Sequence, residues 1–306
     1  MPLSAETFAR RVLRQERESV AEAMQRALGA YIAADRDPSP RVVDIAWVRE
    51  QPWSQREAVQ GVLDSGVEHV AGFLKSACEH VIAMERLFTD DAELLPLPAF
   101  SLARSVQEAA LLACWLADPA ASPERRAARA AAVLLGWPTG TARTLAQFPV
   151  EQRQRLERAK QAGSLLVAHL EANGFRIGRD AKRPEKLLNV SRGSATVNIE
   201  FNATDAAAKY TPGSKYSWSI GSGASHSQPW LTKGIEGDGW LVVSSVLAPV
   251  LDVSDALVDN VLGYVGIDPS RQHEATHLRR RAVIGYSRGF GVFHGYEEYA
   301  RTRDNA

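Results

Sequence analysis

Apolar side chains recur at helical spacing along most of this 306-residue chain. Phe8, Val12, Val20, Met24, Leu28 and Tyr31 line one face of a first long helix, opened by Ser4 with Glu6 and ended near 35–38. A short element at 40–50 leads to Ser54-Gln55-Arg56-Glu57, a capping box that starts the longest regular run, 55–87. Its seam is Val59, Val62, Leu63, Val70, Phe73, Leu74, Cys78, Val81 and Met84. Residues 99–117 are apolar nearly all round, which predicts a central helix buried on most sides and stopped by Asp118-Pro119. Ser122-Pro123-Glu124 caps an alanine-rich helix that Gly136 and Pro138 should close, and a further helix at 149–172 stops at Asn173-Gly174.

The texture then changes. Arg176, Arg179, Lys182, Arg183, Lys186 and Arg192 face only Asp180 and Glu185, as in an exposed basic connector. Residues 196–201 alternate polar and apolar, which suits a short strand; with no partner visible, a helix stays the alternative. After a glycine- and serine-rich stretch at 213–239, helices are expected at 240–251, at 254–264 and from 270 toward 299. The whole predicts an all-α multi-helix bundle with a long central helix hairpin and one short β element near 196–201. An N-terminal bundle, 1–175, would be completed by the connector and C-terminal helices of 176–306 into one composite domain.

Charge and cysteine content narrow the function classes. Lys plus Arg equals Asp plus Glu, 36 of each, so no general footprint for polyanions is written into the net charge, though a local basic patch stays open. The two cysteines, Cys78 and Cys114, fall within apolar helical patterns and exclude a disulfide framework; they fit a reducing, cytoplasmic setting. No apolar run approaches the roughly 18 residues that span a bilayer, so no membrane partner is expected.

Two constellations carry candidate chemistry. In the central helix Arg104 and Glu108 are the only charges, spaced i, i+4 on one face. They either pair with one another or face a polar cavity, where Arg104 would clamp a phosphate or carboxylate and Glu108 would orient it. In YSWSIGSGASHSQPW, Gly221 and Gly223 permit close backbone approach, while Trp218, Ser219, Ser222, Ser225 and His226 would wall a ligand pocket. The second constellation is Arg271 to His277, RQHEATH. His273, Glu274 and His277 spell H-E-x-x-H, two imidazoles one turn apart with a carboxylate to activate metal-bound water; His294, Glu297 or Glu298 would supply the third zinc ligand. Arg271 and His277 equally form an Arg-x5-His pair, as do Arg288 and His294, a spacing that RNA-cleaving helical domains use.

The helix RSVQEAALLACWLADP combined with YSWSIGSGASHSQPW resembles a broad group of uncharacterised actinobacterial helical proteins related to the HEPN (higher eukaryote and prokaryote nucleotide-binding) superfamily, the likeness covering 55–230. The resemblance implies a shared pocket to which Arg104, Glu108 and His226 correspond. It further implies a phosphate-bearing ligand, nucleotide or RNA, in a stress or defence setting, with no cofactor. Many HEPN domains cleave RNA through Arg-x4–6-His, the arginine stabilising the scissile phosphate and the histidine acting as general base. His226 has no arginine at that upstream spacing, so the likeness implies binding more directly than cleavage. Two expectations of other classes stand beside it: a zinc-dependent hydrolase using the HEATH segment, and a non-catalytic protein that dimerises through apolar helices.

Overall fold

A computed structural model describes residues 4–34, 38–88, 95–148, 153–215, 217–226 and 239–287. The chain is an all-α multi-helix bundle with one small sheet. It divides into two compact units, one formed by Met1–Ala33, Gly72–Cys114 and Ala203–Ala306, the other by Ala34–Ala71 and Trp115–Asn202. No helix among the described residues is long and apolar enough to cross a membrane.

In the first unit, α1 (Ala5–Ala33) starts where the Ser4 hydroxyl accepts from the Thr7 amide at 3.1 Å. Its buried stripe of Phe8, Val12, Leu13, Val20, Ala23 and Ala27 also contains one acid, Glu16. This unit takes residues 72–87 of α3 (Trp53–Leu87) and 96–114 of α4 (Pro96–Leu116). Beyond a short α7 (Ala203–Tyr210) and a 3-10 turn at Pro212–Ser214 come α8 (Ser217–Ser225), α9 (Gly239–Tyr264) and α10 (Ser270–Ser287). The expected pair of helices at 240–251 and 254–264 is one continuous helix, α9. Pro249 lies within it, and Val246, Leu247, Val250, Leu251, Val253 and Leu257 are all buried around the proline. A proline removes one backbone hydrogen bond and crowds the carbonyl four residues back. Burying Leu- and Val-sized side chains, each worth about 1.5–3 kcal/mol, offsets that cost.

The second unit is built on α2 (Pro40–Glu50), residues 53–71 of α3, α5 (Pro123–Leu145), α6 (Arg153–Ala172) and an antiparallel meander of β1 (Arg176–Arg179), β2 (Leu187–Arg192) and β3 (Ala195–Asn198). Both α2 and α5 open alike: Ser39 and Ser122 accept from the Val42 and Arg125 amides at 3.3 Å, with proline in the first turn. The expected connector at 176–192 is therefore two strands, and they supply the partner that 196–201 lacked. Alternation places Ile177, Val190 and Val197 side by side in one cross-strand row facing the core of α3, α5 and α6, among Val59, Leu63, Ala131, Leu135 and Leu170. The turn between β2 and β3 is Gly193-Ser194, with Gly193 at φ +54°, a left-handed conformation natural to glycine in a two-residue hairpin. Helix α5 also runs past its expected end at Gly136 and Pro138 to Leu145; Pro138 is buried, and Gly163 of α6 has no side chain to hold the two helices apart.

Alanine gives α5 a thin profile, and α3 approaches it at Gly66, where a Cβ would stand 2.9 Å from the Ala130 Cβ. Two arginines of the same helix are buried as well. Arg126 donates to both oxygens of the buried Asp44 at 2.6–3.1 Å and to the Asp118 and Ala121 carbonyls. Arg129 donates to Asp118 at 3.0 Å and to the Trp115 carbonyl at 2.7 Å. These are internal counter-ions that hold α2, the α4 end and α5 in register.

Candidate functional site

Arg104 is set on α4 two residues before Val106 in a helix otherwise rich in Ala and Leu, and its neighbours Ala103, Val106, Gln107 and Ala110 are buried. Its side chain is half-buried. The guanidinium carbon lies 4.5 Å from the ring centroid of Trp218, the second residue of α8. What brings α8 so near is Gly221: a Cβ there would meet the Arg104 Cβ at 2.7 Å and the Phe100 carbonyl oxygen at 3.2 Å. Alongside, buried Gln107 donates to the Ser217 hydroxyl at 2.8 Å, and that hydroxyl donates to the Ser214 carbonyl at 2.5 Å, so the start of α8 is fastened to α4.

No oxygen among the described residues accepts a hydrogen bond from Arg104, and its Nε is shut away from water. Glu108 is exposed one turn further on, and no ion pair joins the two. The indole face, rather than the carboxylate, meets the guanidinium, and no acceptor of the described residues takes its terminal N–H groups. Ser222 is half-buried, whereas Ser225 and His226 are exposed at the end of α8. The Ser225 hydroxyl is taken by the Gly221 carbonyl at 2.9 Å, and the His226 amide donates to the Ser222 carbonyl at 3.1 Å. The Ser219 side chain and residues 227–238 lie outside the described residues.

The HEATH segment occupies the first turns of α10, opened by Asp268, which accepts from the Ser270 amide and hydroxyl at 3.1 and 2.7 Å. Its buried face is Gln272, Thr276, Arg279 and Val283. Neither histidine of the motif belongs to that face. His273 is half-buried with Nε2 bonded to the Asp259 carboxylate and Nδ1 3.6 Å from Asp255. Arg280 ties Asp255 to Asp252 on the same stretch of α9, at 2.5 and 2.9 Å. Burial pushes the Asp259 carboxyl up from its usual range, the neighbouring His273 opposing it. Glu274 and His277 are exposed, and Arg271 pairs with Glu22 at 3.3 Å. At about 100° per residue Arg271 and His277 lie about 120° apart around the helix. Among the described residues no group of three or more His, Cys, Asp or Glu side chains could hold a metal ion. His294, Glu297 and Glu298, like Arg288, lie outside the described residues.

The buried partner of α10 is Glu16. Arg279 donates to it at 2.6 Å and the Thr276 hydroxyl at 3.3 Å, all three nearly inaccessible. Burial raises the Glu16 carboxyl above its usual range against the opposing charge of Arg279. Sequence reading missed this pair, although a signal existed: Glu16 falls four residues after Val12 and four before Val20, on the apolar seam of α1. An acid on a seam asks for a buried base.

No protein-family model, curated protein or solved structure matches the chain.

Proposed function

We propose that the protein binds a phosphate-bearing ligand, a nucleotide or RNA, through Arg104. One observation carries this reading: Arg104 is drawn into an apolar helix surface and stacked on Trp218, yet donates to no oxygen of the described chain. A half-buried guanidinium is matched by an anion that presents two acceptor oxygens side by side, and phosphate or carboxylate oxygens fit it in pairs. The Trp218 ring fixes the plane, so less side-chain freedom is lost on binding. Ser222 offers a hydroxyl on the same helix, and exposed His226 is the group that would exchange a proton with the ligand. A HEPN-like relationship and a stress or defence role belong to the same proposal. The zinc reading has less to support it, because His273 is already engaged by Asp259.

Calorimetric titration of pyrophosphate, ATP and a short single-stranded RNA into the wild type and Arg104→Ala tests the reading. A hydrogen bond to a charged group is worth about 1.5–3 kcal/mol, so the variant should bind roughly 10- to 100-fold more weakly with unchanged helical content. Equal affinity in the two proteins, or loss of helical circular dichroism in the variant, would overturn it.

A further inference from the structure

The β1–β2 connection reads Asp180-Ala181-Lys182-Arg183-Pro184-Glu185-Lys186. It is an ordered turn: the Asp180 amide donates to the Lys186 carbonyl at 2.9 Å and the Lys186 amide to the Arg183 carbonyl at 2.8 Å. The Asp180 carboxylate accepts from the Lys182 and Arg183 amides at 2.8 and 3.0 Å. Those amides, Lys182 first, hold its carboxyl below the usual range. The turn's first acid is thus spent on building the turn, as an aspartate in an Asx turn is. Lys182 and Arg183 are exposed and Lys186 half-buried, and neither lysine has a carboxylate partner among the described residues. Arg183 stands 3.8 Å from Asp180, and Glu185 is the one acid of the turn left to oppose these cations.

The sheet extends the same character. Opposite the core row, cross-strand pairing aligns exposed Arg176 with Ser191 and Thr196, and Gly178 with Asn189 and Asn198. Arg176, Thr196 and Asn198 are exposed in these rows and Asn189 is half-buried, while Ser191 is buried with its hydroxyl bonded to that of Thr196 at 2.9 Å. At the tip the uncharged residues are Ala181 and Pro184, and beside it on β2 stands one exposed leucine, Leu188, where membrane-surface elements bring a cluster of Trp, Phe or Leu. Cations on a preformed hairpin, backed by short polar side chains and with no cluster of apolar anchors, match a phosphodiester backbone, where Lys and Arg neutralise phosphates and Thr and Asn bond phosphate and sugar oxygens.

We propose that the β1–β2 hairpin and the polar sheet face beside it dock the phosphate backbone of a nucleic acid. This surface is independent of Arg104. Fluorescence anisotropy of labelled duplex DNA and single-stranded RNA with the full chain, across a potassium chloride series, tests it. The logarithm of the binding constant should fall linearly with log salt, with a slope of about −2 to −3 for the three turn cations, and Lys182→Glu/Arg183→Glu/Lys186→Glu should weaken binding about tenfold or more at low salt. Arg104→Ala should leave this salt-dependent binding in place, which separates failure here from failure of the pocket reading. Preference for DNA or for RNA names the source of the backbone, and either supports the proposal. Should circular dichroism show the triple variant misfolded, Lys182→Gln/Lys186→Gln carries the same test with a smaller loss. The idea is overturned if the wild type binds neither nucleic acid at low salt, if a folded hairpin variant binds as well as the wild type, or if anionic phosphatidylserine vesicles bind in place of nucleic acid.

Discussion

Arg126 in the second unit and Arg104 in the first both sit on alanine-rich helices with apolar neighbours, and they are accommodated in opposite ways. Arg126 is fully surrounded by acceptors: two Asp44 oxygens and three carbonyls take its donors. Arg104 is met by an indole face and by no acceptor of the described chain. Arg129 stands between them, with an unpaired Nε and a Trp115 ring 5.3 Å away, but its charge is answered by Asp118. An unpaired nitrogen alone therefore does not mark a binding residue. What sets Arg104 apart is that no counter-ion stands beside it among the described residues, and the cost of holding an unanswered charge beside apolar surface is the physical reason to expect a ligand.

The largest effect expected from this contrast is at Asp44. Asp44→Ala removes the carboxylate that answers the Arg126 charge in the core, and removing one partner of a buried pair costs about 3–5 kcal/mol. Urea unfolding reads it, and a loss under about 1 kcal/mol would place Arg126 with Arg104 rather than opposite it. Next come the two glycines that admit close helix approach. Gly66→Ala drives a Cβ to 2.9 Å from Ala130, and Gly221→Ala to 2.7 Å from the Arg104 Cβ, with the Phe100 carbonyl behind it. Overpacking of this kind costs about 1–3 kcal/mol at either site. Only Gly221→Ala should also weaken pyrophosphate binding in calorimetry, because it displaces Arg104; equal binding losses in both variants would dissolve the distinction between the units.

Much of this architecture is legible in the sequence, and the failures have identifiable causes. The Ser122-Pro123 cap placed the start of α5 to the residue, and the short element read at 40–50 is α2. Arg104 was visible as a lone cation in an apolar run, but its partner was not: stacking on Trp218 depends on Gly221 bringing in a helix from more than a hundred positions away. The meander was hidden because Arg192, read as solvent-exposed, is buried, its NH2 donating to Gln51 and Gln55 at 2.8 and 3.1 Å. Gly193-Ser194 between two alternating runs was the hairpin signal that could have revealed it. In α10 the HEATH motif drew attention to histidines on the more open side, while the residues that anchor the helix, Thr276 and Arg279, answer a glutamate some 260 positions earlier.

That Glu16 pair supplies a smaller, pH-dependent prediction within the first unit. With its carboxyl raised by burial, the folded state binds a proton more readily than the unfolded chain. Its contribution to stability is full below the unfolded pKa, near 4.5, and is lost as pH rises through the folded value. Measured by urea unfolding across that range, the wild type should lose stability relative to Glu16→Gln as pH increases. A relative gain would show that Arg279 outweighs burial.

The most direct measurement is urea unfolding of Arg104→Ala beside Arg126→Ala, without ligand. If Arg104 is held ready for an anion, its removal forfeits mainly the indole contact, about 1 kcal/mol, while Arg126→Ala takes the guanidinium away from the buried Asp44 carboxylate and loses about 3–5 kcal/mol. Equal losses of several kcal/mol in both variants would make Arg104 a structural residue and contradict the account.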